Sequence, residues 1–189
     1  ITNPDQLTSD HIESFKSFLS QKDYTAKSVS RKLNSIKTFC RFLISLGVIK
    51  NSPAASVSHP KYEIKPPRIL TKMEYRSLRD VCKEDVRIYA IVEMLLQTGI
   101  RIGELANLEL NDLDTSKINI KAYESHAQRT VPLNKAAQAA LADYLKNRPS
   151  TKTKNVFITK TGRPFLIRNI RTAIDRYFKL ADIKNAKVN

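Results

Sequence analysis

Residues 57–68 constrain this chain more than any other stretch, because they hold His59-Pro60-Lys61 and Pro66-Pro67-Arg68. Each proline lacks a backbone N–H and drives the residue before it toward extended backbone, so neither a helix nor a central strand can run through. Apolar periodicity exists on both sides, and 189 residues leave room for one or two domains at roughly 100–200 residues each. The reading is a first domain over 1–57, a linker over 58–69 and a second domain over 70–189.

In the first domain, Ile12, Phe15, Phe18 and Leu19 recur at helical spacing behind Thr8 or Ser9 as cap. A longer helix over 25–46 carries Val29, Leu33, Ile36, Cys40 and Leu43 as one apolar stripe. Opposite that stripe Lys27, Arg31, Asn34, Thr38 and Arg41 step along a single line, so one face packs and the other is offered to a partner. In the second domain Thr71 with Glu74 forms a capping box for a helix through Cys82. Residues 86–98 read as a helix apolar on most sides, stopped by Gly99, and 101–108 as a short helix. Residues 117–123 and 128–133 read as the two strands of a hairpin, 134–147 as an Asn134-capped helix, 156–158 as a third strand and 166–180 as a last helix. The fold expected is mainly α with a small antiparallel β-sheet.

Thirty-three Lys and Arg against 18 Asp and Glu give a net charge of +15, and the excess is localised. No acid occurs from 24 to 62, and from 146 to 189 the many basic residues face only Asp175 and Asp182. Ordinary solvated helices mix both signs, whereas a polyanion ligand rewards such blocks by releasing counterions as each phosphate is neutralised. The longest nearly apolar stretch, 88–96, contains Glu93 and falls short of the roughly 20 residues of a membrane span, so no membrane role is expected. Cys40 and Cys82 stand alone and read as small apolar residues of a reducing cytoplasm.

Thr98-Gly99-Ile100-Arg101-Ile102-Gly103-Glu104-Leu105, followed by Leu108, Asp112 and Leu113, closely resembles the first catalytic motif of tyrosine recombinases, the phage integrase and Xer-like family. Upstream, Ser28, Arg31-Lys32-Leu33, Phe39, Phe42-Leu43, Asn51-Ser52-Pro53 and Pro60-Lys61 look like the closing helix and exit of that family's core-binding domain. Downstream, Arg129 before Val131-Pro132-Leu133 is similar to the strand after its catalytic lysine loop.

The resemblance implies a helical, SAM-like core-binding domain followed by a tyrosine-recombinase catalytic domain, incomplete at both ends. It implies DNA strand cleavage and rejoining through a 3′-phosphotyrosine without metal or other cofactor, on double-stranded DNA, by a homo-oligomer in a tetrameric synapse. Arg101 is then the catalytic cation and Glu104, three residues on, the side chain that orients its guanidinium. Lys27, Arg31, Asn34, Thr38 and Arg41, with Arg68 and Arg129, are the expected DNA contacts.

Three departures accompany the resemblance. The family's second motif and nucleophilic tyrosine should follow a helix ending near Leu180, and none of Tyr24, Tyr62, Tyr75, Tyr89, Tyr123, Tyr144 and Tyr177 takes the nucleophile's place. His126-Ala127-Gln128-Arg129 imitates the second motif but spans a hairpin tip. Glu124 occupies the place of the catalytic lysine, which leaves Lys121 as the nearest proton donor. These departures keep open a DNA-binding accessory protein of the same architecture, without the chemistry. A basic RNA-binding or scaffold protein accounts for the charge alone.

Overall fold

Two helices, α1 (Ser9–Gln21) and α2 (Ala26–Ser45), form the first part of the structure, a computed structural model that describes residues 3–64, 66, 68–123 and 125–186. Thr8 caps α1 by accepting from the His11 backbone N–H, and Thr25 caps α2 by accepting from that of Ser28. Gly47, at φ 71°, ends α2, with Val48 N–H reaching back to the Leu43 carbonyl. Ile12 and Leu19 pack against Val29, Leu33 and Cys40, and Ala54 and Val57 close this core. Ser30 is buried too, and its hydroxyl bonds to Nδ1 of His59 at 3.0 Å, tying the exit segment back to α2. Lys27, Arg31, Asn34, Thr38 and Arg41 are all exposed.

By backbone proximity the chain divides into Ile1–Pro66 and Pro67–Asn189, a break inside the proline-rich segment 58–69. The second unit contains α3 (Lys72–Cys82), α4 (Val86–Thr98), α5 (Ile102–Asn107), a 3-10 turn (Leu110–Asp112), β1 (Lys117–Ile120), β2 (Arg129–Pro132), α6 (Lys135–Asn147) and α7 (Ile167–Leu180). Its centre is α4, which packs against α3, α5, α6 and α7 with Ile88, Ala90, Ile91, Val92 and Met94 buried. Glu93 is equally buried. Its carboxylate takes the guanidinium of Arg79 on one oxygen and the Gln97 amide, at 3.2 Å, on the other. Arg79 also donates to the Tyr89 hydroxyl at 3.2 Å, and Asn134 to Gln97 at 2.6 Å, so the buried charge is fully paired.

Both strands are shorter than expected, ending at Ile120 and starting at Arg129, and they pair antiparallel with Ile120 opposite Arg129 and Ile118 opposite Val131. Residues 156–158 correct the sequence reading: they form no third strand but lie between isolated bridges, Glu109 to Asn155 and Ile158 to Pro164. Single backbone bonds, from Val156 N–H to the Leu108 carbonyl at 2.8 Å and from Phe165 N–H to the Phe157 carbonyl at 3.0 Å, join side chains in place of a ladder. Arg148 donates to the carbonyls of Thr153, Asn155 and Val156 at 2.8, 2.7 and 3.0 Å. The Tyr144 hydroxyl accepts from Ile158 N–H at 3.1 Å and donates to the Val156 carbonyl at 3.2 Å. Val156, Phe157 and Ile158 are all buried, which explains why three consecutive apolar residues imitate a strand. Among the described residues, no helix is long and apolar enough to cross a membrane.

Leu105, on the underside of α5, has no exposed surface. Leu105→Ala is expected to cost about 2–5 kcal/mol, through lost burial and the cavity left behind. Urea unfolding, with the midpoint lowered at unchanged slope, measures it.

Candidate functional site

The site starts where α4 stops. The Thr98 hydroxyl bonds the Met94 carbonyl and accepts from Ile100 N–H at 3.3 Å, and Gly99 turns the chain at φ 64°. A Cβ at Gly99 would meet nothing within 4 Å, so the glycine is needed for its left-handed backbone and not for space. Ile100 and Ile102 are buried on either side of Arg101. This pins the Arg101 backbone, extended at the N-cap of α5, and leaves its side chain 51% exposed.

The Glu104 side chain has no exposed surface. Its Oε1 accepts from Arg129 Nη1 at 2.7 Å, and its Oε2 accepts from Arg129 Nη2 at 2.7 Å and from the Arg101 backbone N–H at 2.8 Å. The Arg101 guanidinium stands farther off, with Nη1 at 3.6 Å from Oε1. The sequence reading paired Glu104 with Arg101 alone; here the two-pronged partner is Arg129, and Arg101 is held chiefly through its main chain. The strand period accounts for this, since Arg129 lies on the same face of β2 as half-buried Val131, opposite Ile120. Those hydrogen bonds from Arg129, and then the Arg101 N–H and the positive charge of both guanidinia, hold the Glu104 pKa down at about 2 against the effect of burial.

Lys121 follows β1 directly. Its ammonium lies 2.5 Å from Glu109 Oε2 and 3.4 Å from Asp112 Oδ2, and the bond to Glu109 raises its pKa. Glu124 lies outside the described residues. Tyr123 and His126 exchange both backbone hydrogen bonds, at 3.0 and 2.9 Å, and close the hairpin. The Tyr123 ring rests on Gly103, where a Cβ would come within 2.7 Å of it. A cavity of about 350 Å³ opens beneath, lined by Glu104, Asn107, Glu109, Asp112, Asn119 and Lys121. Among the described residues, no three His, Cys, Asp or Glu side chains are grouped to hold a metal ion.

Of the other expected contacts, Arg68 is ion-paired with Glu74, the residue that completes the α3 capping box. The five polar residues of α2 lie in the first unit. The basic block 146–189 takes shape in part on α7, where Arg168, Arg171, Arg176 and Lys179, none of them named as a contact from the sequence, are exposed opposite buried Ile170, Ile174 and Phe178. The four-residue spacing of those three apolar residues marks the opposite face in the sequence itself.

Because the Glu104 pKa is depressed in the fold, its contribution is complete above the unfolded value of 4.5 and is lost as pH falls toward 2. The shift corresponds to on the order of 3 kcal/mol. Denaturant stability measured from pH 6 to pH 2 is expected to fall more steeply in the native protein than in Glu104→Gln, which has no carboxylate to protonate.

Residues 68–188 match the phage integrase family. The tyrosine recombinase XerC of Natranaerobius thermophilus is 33% identical over 186 residues, which cover 92% of this chain and 62% of that protein. The chain therefore spans a little under two thirds of that relative. The crystal structure of XerA recombinase superposes with a TM-score of 0.60 at 29% identity, covering all of this chain and 66% of that one. A lambda integrase tetramer bound to a Holliday junction gives a TM-score of 0.71 at 16% identity, covering 98% of this chain and 56% of that one, a likeness of fold. The match over most of the second unit, around the Arg101 motif, shows that this chain belongs to the phage integrase family of tyrosine recombinases.

Proposed function

We propose that this chain binds duplex DNA and supplies the phosphate-activating arginine of a site-specific tyrosine recombinase. The observation that carries the reading is Arg101: a half-exposed guanidinium on a backbone fixed by Ile100, Ile102 and the Glu104 carboxylate. In the reaction proposed for the complete enzyme, a tyrosine oxygen bonds to phosphorus and the bond from phosphorus to the 5′-oxygen breaks. The electron pair leaves with that oxygen, which takes a proton, and the 3′ phosphate remains on the tyrosine. Charge growing on the non-bridging oxygens is met by a donor fixed in advance, and a guanidinium can reach two of them. Glu104 positions Arg101 through the main chain. Lys121 fits as proton donor only once its ammonium leaves Glu109 and Asp112, because their charge makes it a weaker acid.

Affinity in this reading comes from cations without carboxylate partners. Lys27 and Arg31, with Asn34, Thr38 and Arg41, make one such line on α2, and the basic face of α7 makes another. The tetramer seen for lambda integrase on a Holliday junction is the precedent for assembly of the complete enzyme on DNA. The pairing of Lys121 with Glu109 favours a second reading, a DNA-binding protein without the chemistry.

Titration of a labelled duplex is expected to show log affinity falling linearly with log salt, at a slope of about −0.9 per phosphate neutralised. Absent or salt-insensitive binding would sink both readings. Reversing the charge of Lys27, Arg31 and Arg41 together should weaken binding while leaving the melting curve in place, since all three lie opposite the buried stripe. Unchanged affinity in that folded variant would remove α2 from the interface. This chain alone is expected to form no covalent adduct with DNA. An adduct would direct attention to Tyr123, whose ring lies against Gly103, two residues from Arg101.

A further inference from the structure

We infer that Arg129 acts as a positioning residue: it occupies the buried Glu104 carboxylate and thereby leaves the Arg101 guanidinium free for a phosphate. The inference rests on the reading of Arg101 as a phosphate ligand. Two guanidinia and one carboxylate share this corner of the second unit, so one positive charge is in surplus, and the question is which arginine carries it. Geometry decides. Arg129 meets both carboxylate oxygens through both terminal nitrogens at 2.7 Å, the two-pronged arrangement that is the strongest an arginine makes with a carboxylate. Arg101 gives Glu104 a backbone N–H at 2.8 Å, while its guanidinium stays at 3.6 Å, beyond a hydrogen bond, and half in solvent.

Among the described residues Glu104 has no other cation within reach, and its side chain has no exposed surface. Without Arg129 the carboxylate would be a buried charge holding one backbone hydrogen bond, a state that costs several kcal/mol. The cheapest remedy is local. Arg101 Nη1 needs to close by less than about an ångström to enter hydrogen-bond range of Oε1, and its exposed side chain is free to make that move. The result would be a neutral pair where a phosphate-binding cation stood. Arg129 would then matter to DNA without touching it, and its effect would pass through Glu104.

The rival role is direct contact of Arg129 with a phosphate, and salt slopes separate the two on a labelled duplex of mixed sequence. Each phosphate contact contributes about 0.9 to the slope, or roughly a threefold change in affinity between 50 and 200 mM salt. Arg101→Ala is expected to lower the slope by one contact. Arg129→Ala should lower it by the same single contact, and the pair Arg101→Ala with Arg129→Ala should lower it no further. Adding Glu104→Gln to Arg129→Ala should return the slope to the native value, because a neutral amide keeps the Arg101 N–H satisfied and has no charge with which to draw the guanidinium away.

If Arg129→Ala alone does not fold, that charge-free double variant, checked by its melting curve, decides the matter by itself: a native slope supports the inference and a slope one contact short overturns it. Loss of two contacts when both arginines are removed would also overturn it and make Arg129 a phosphate ligand in its own right. An unchanged slope in Arg101→Ala is a separate failure, that of Arg101 as a phosphate contact, and it would show in that variant before Arg129 is touched.

Discussion

A carboxylate with no exposed surface governs the junction of α4, α5 and the hairpin. Burying an ion is tolerated when its partners are in place and costs several kcal/mol when they are not, so Glu104 ties together elements far apart in sequence. Arg129 must come from β2, and the backbone N–H must come from Arg101, the N-cap of α5. A slip of one residue in the pairing of β1 with β2 would either turn Arg129 to the outer face and leave Glu104 unpaired, or expose Ile118 and Ile120. The register of a two-stranded hairpin, weakly determined by its own length, is thus set by an ion pair on one strand and two buried isoleucines on the other.

A second buried carboxylate steadies the other end of the same assembly. Glu93, three residues before Leu96 on α4, holds Arg79 of α3, and Gln97 passes the network on to Asn134 at the start of α6. The last turn of α4 is therefore bound to two neighbouring helices just before Gly99 reverses the chain. Arg101 inherits that rigidity in its backbone and keeps freedom only in its side chain. The role proposed for Arg101, that of a transition-state donor, calls for this combination, because a fixed origin with a short reach loses little entropy on engaging its target.

Much of this could be read from the sequence because it depends on near neighbours. Thr8, Thr71 with Glu74, Gly99 and Asn134 mark helix ends through bonds spanning three or four residues, and the structure has each of them in its role. The apolar character of 86–98 announced the central helix for the same reason. What could not be read depends on distant partners. Residues 156–158 look like a strand until Arg148, Tyr144 and the backbone of Leu108 and Phe165 are seen to satisfy their polar groups. Lys121 looks like an unpaired lysine until the 3-10 turn at 110–112 and Glu109 before it bring up two carboxylates. The pairing of Glu104 with Arg129 spans 25 residues and follows only from the hairpin register.

The same distinction changes what the net charge of +15 means. A count treats every cation alike, yet Arg79, Arg68, Arg129 and Lys121 each lie within an ion pair, and Arg148 is taken up by three carbonyls. Their positive charge adds to the field around the molecule, which steers a polyanion from a distance, but an ion pair, or for Arg148 its bonds to carbonyls, must break before any of them can touch one. Cations in rows, such as Lys27 and Arg31 on α2 or Arg168 and Arg171 on α7, can exchange water for phosphate at once. Arg101 belongs to neither group. It sits beside a carboxylate that another arginine has already neutralised, and so keeps its charge while its backbone is held as firmly as that of a buried residue.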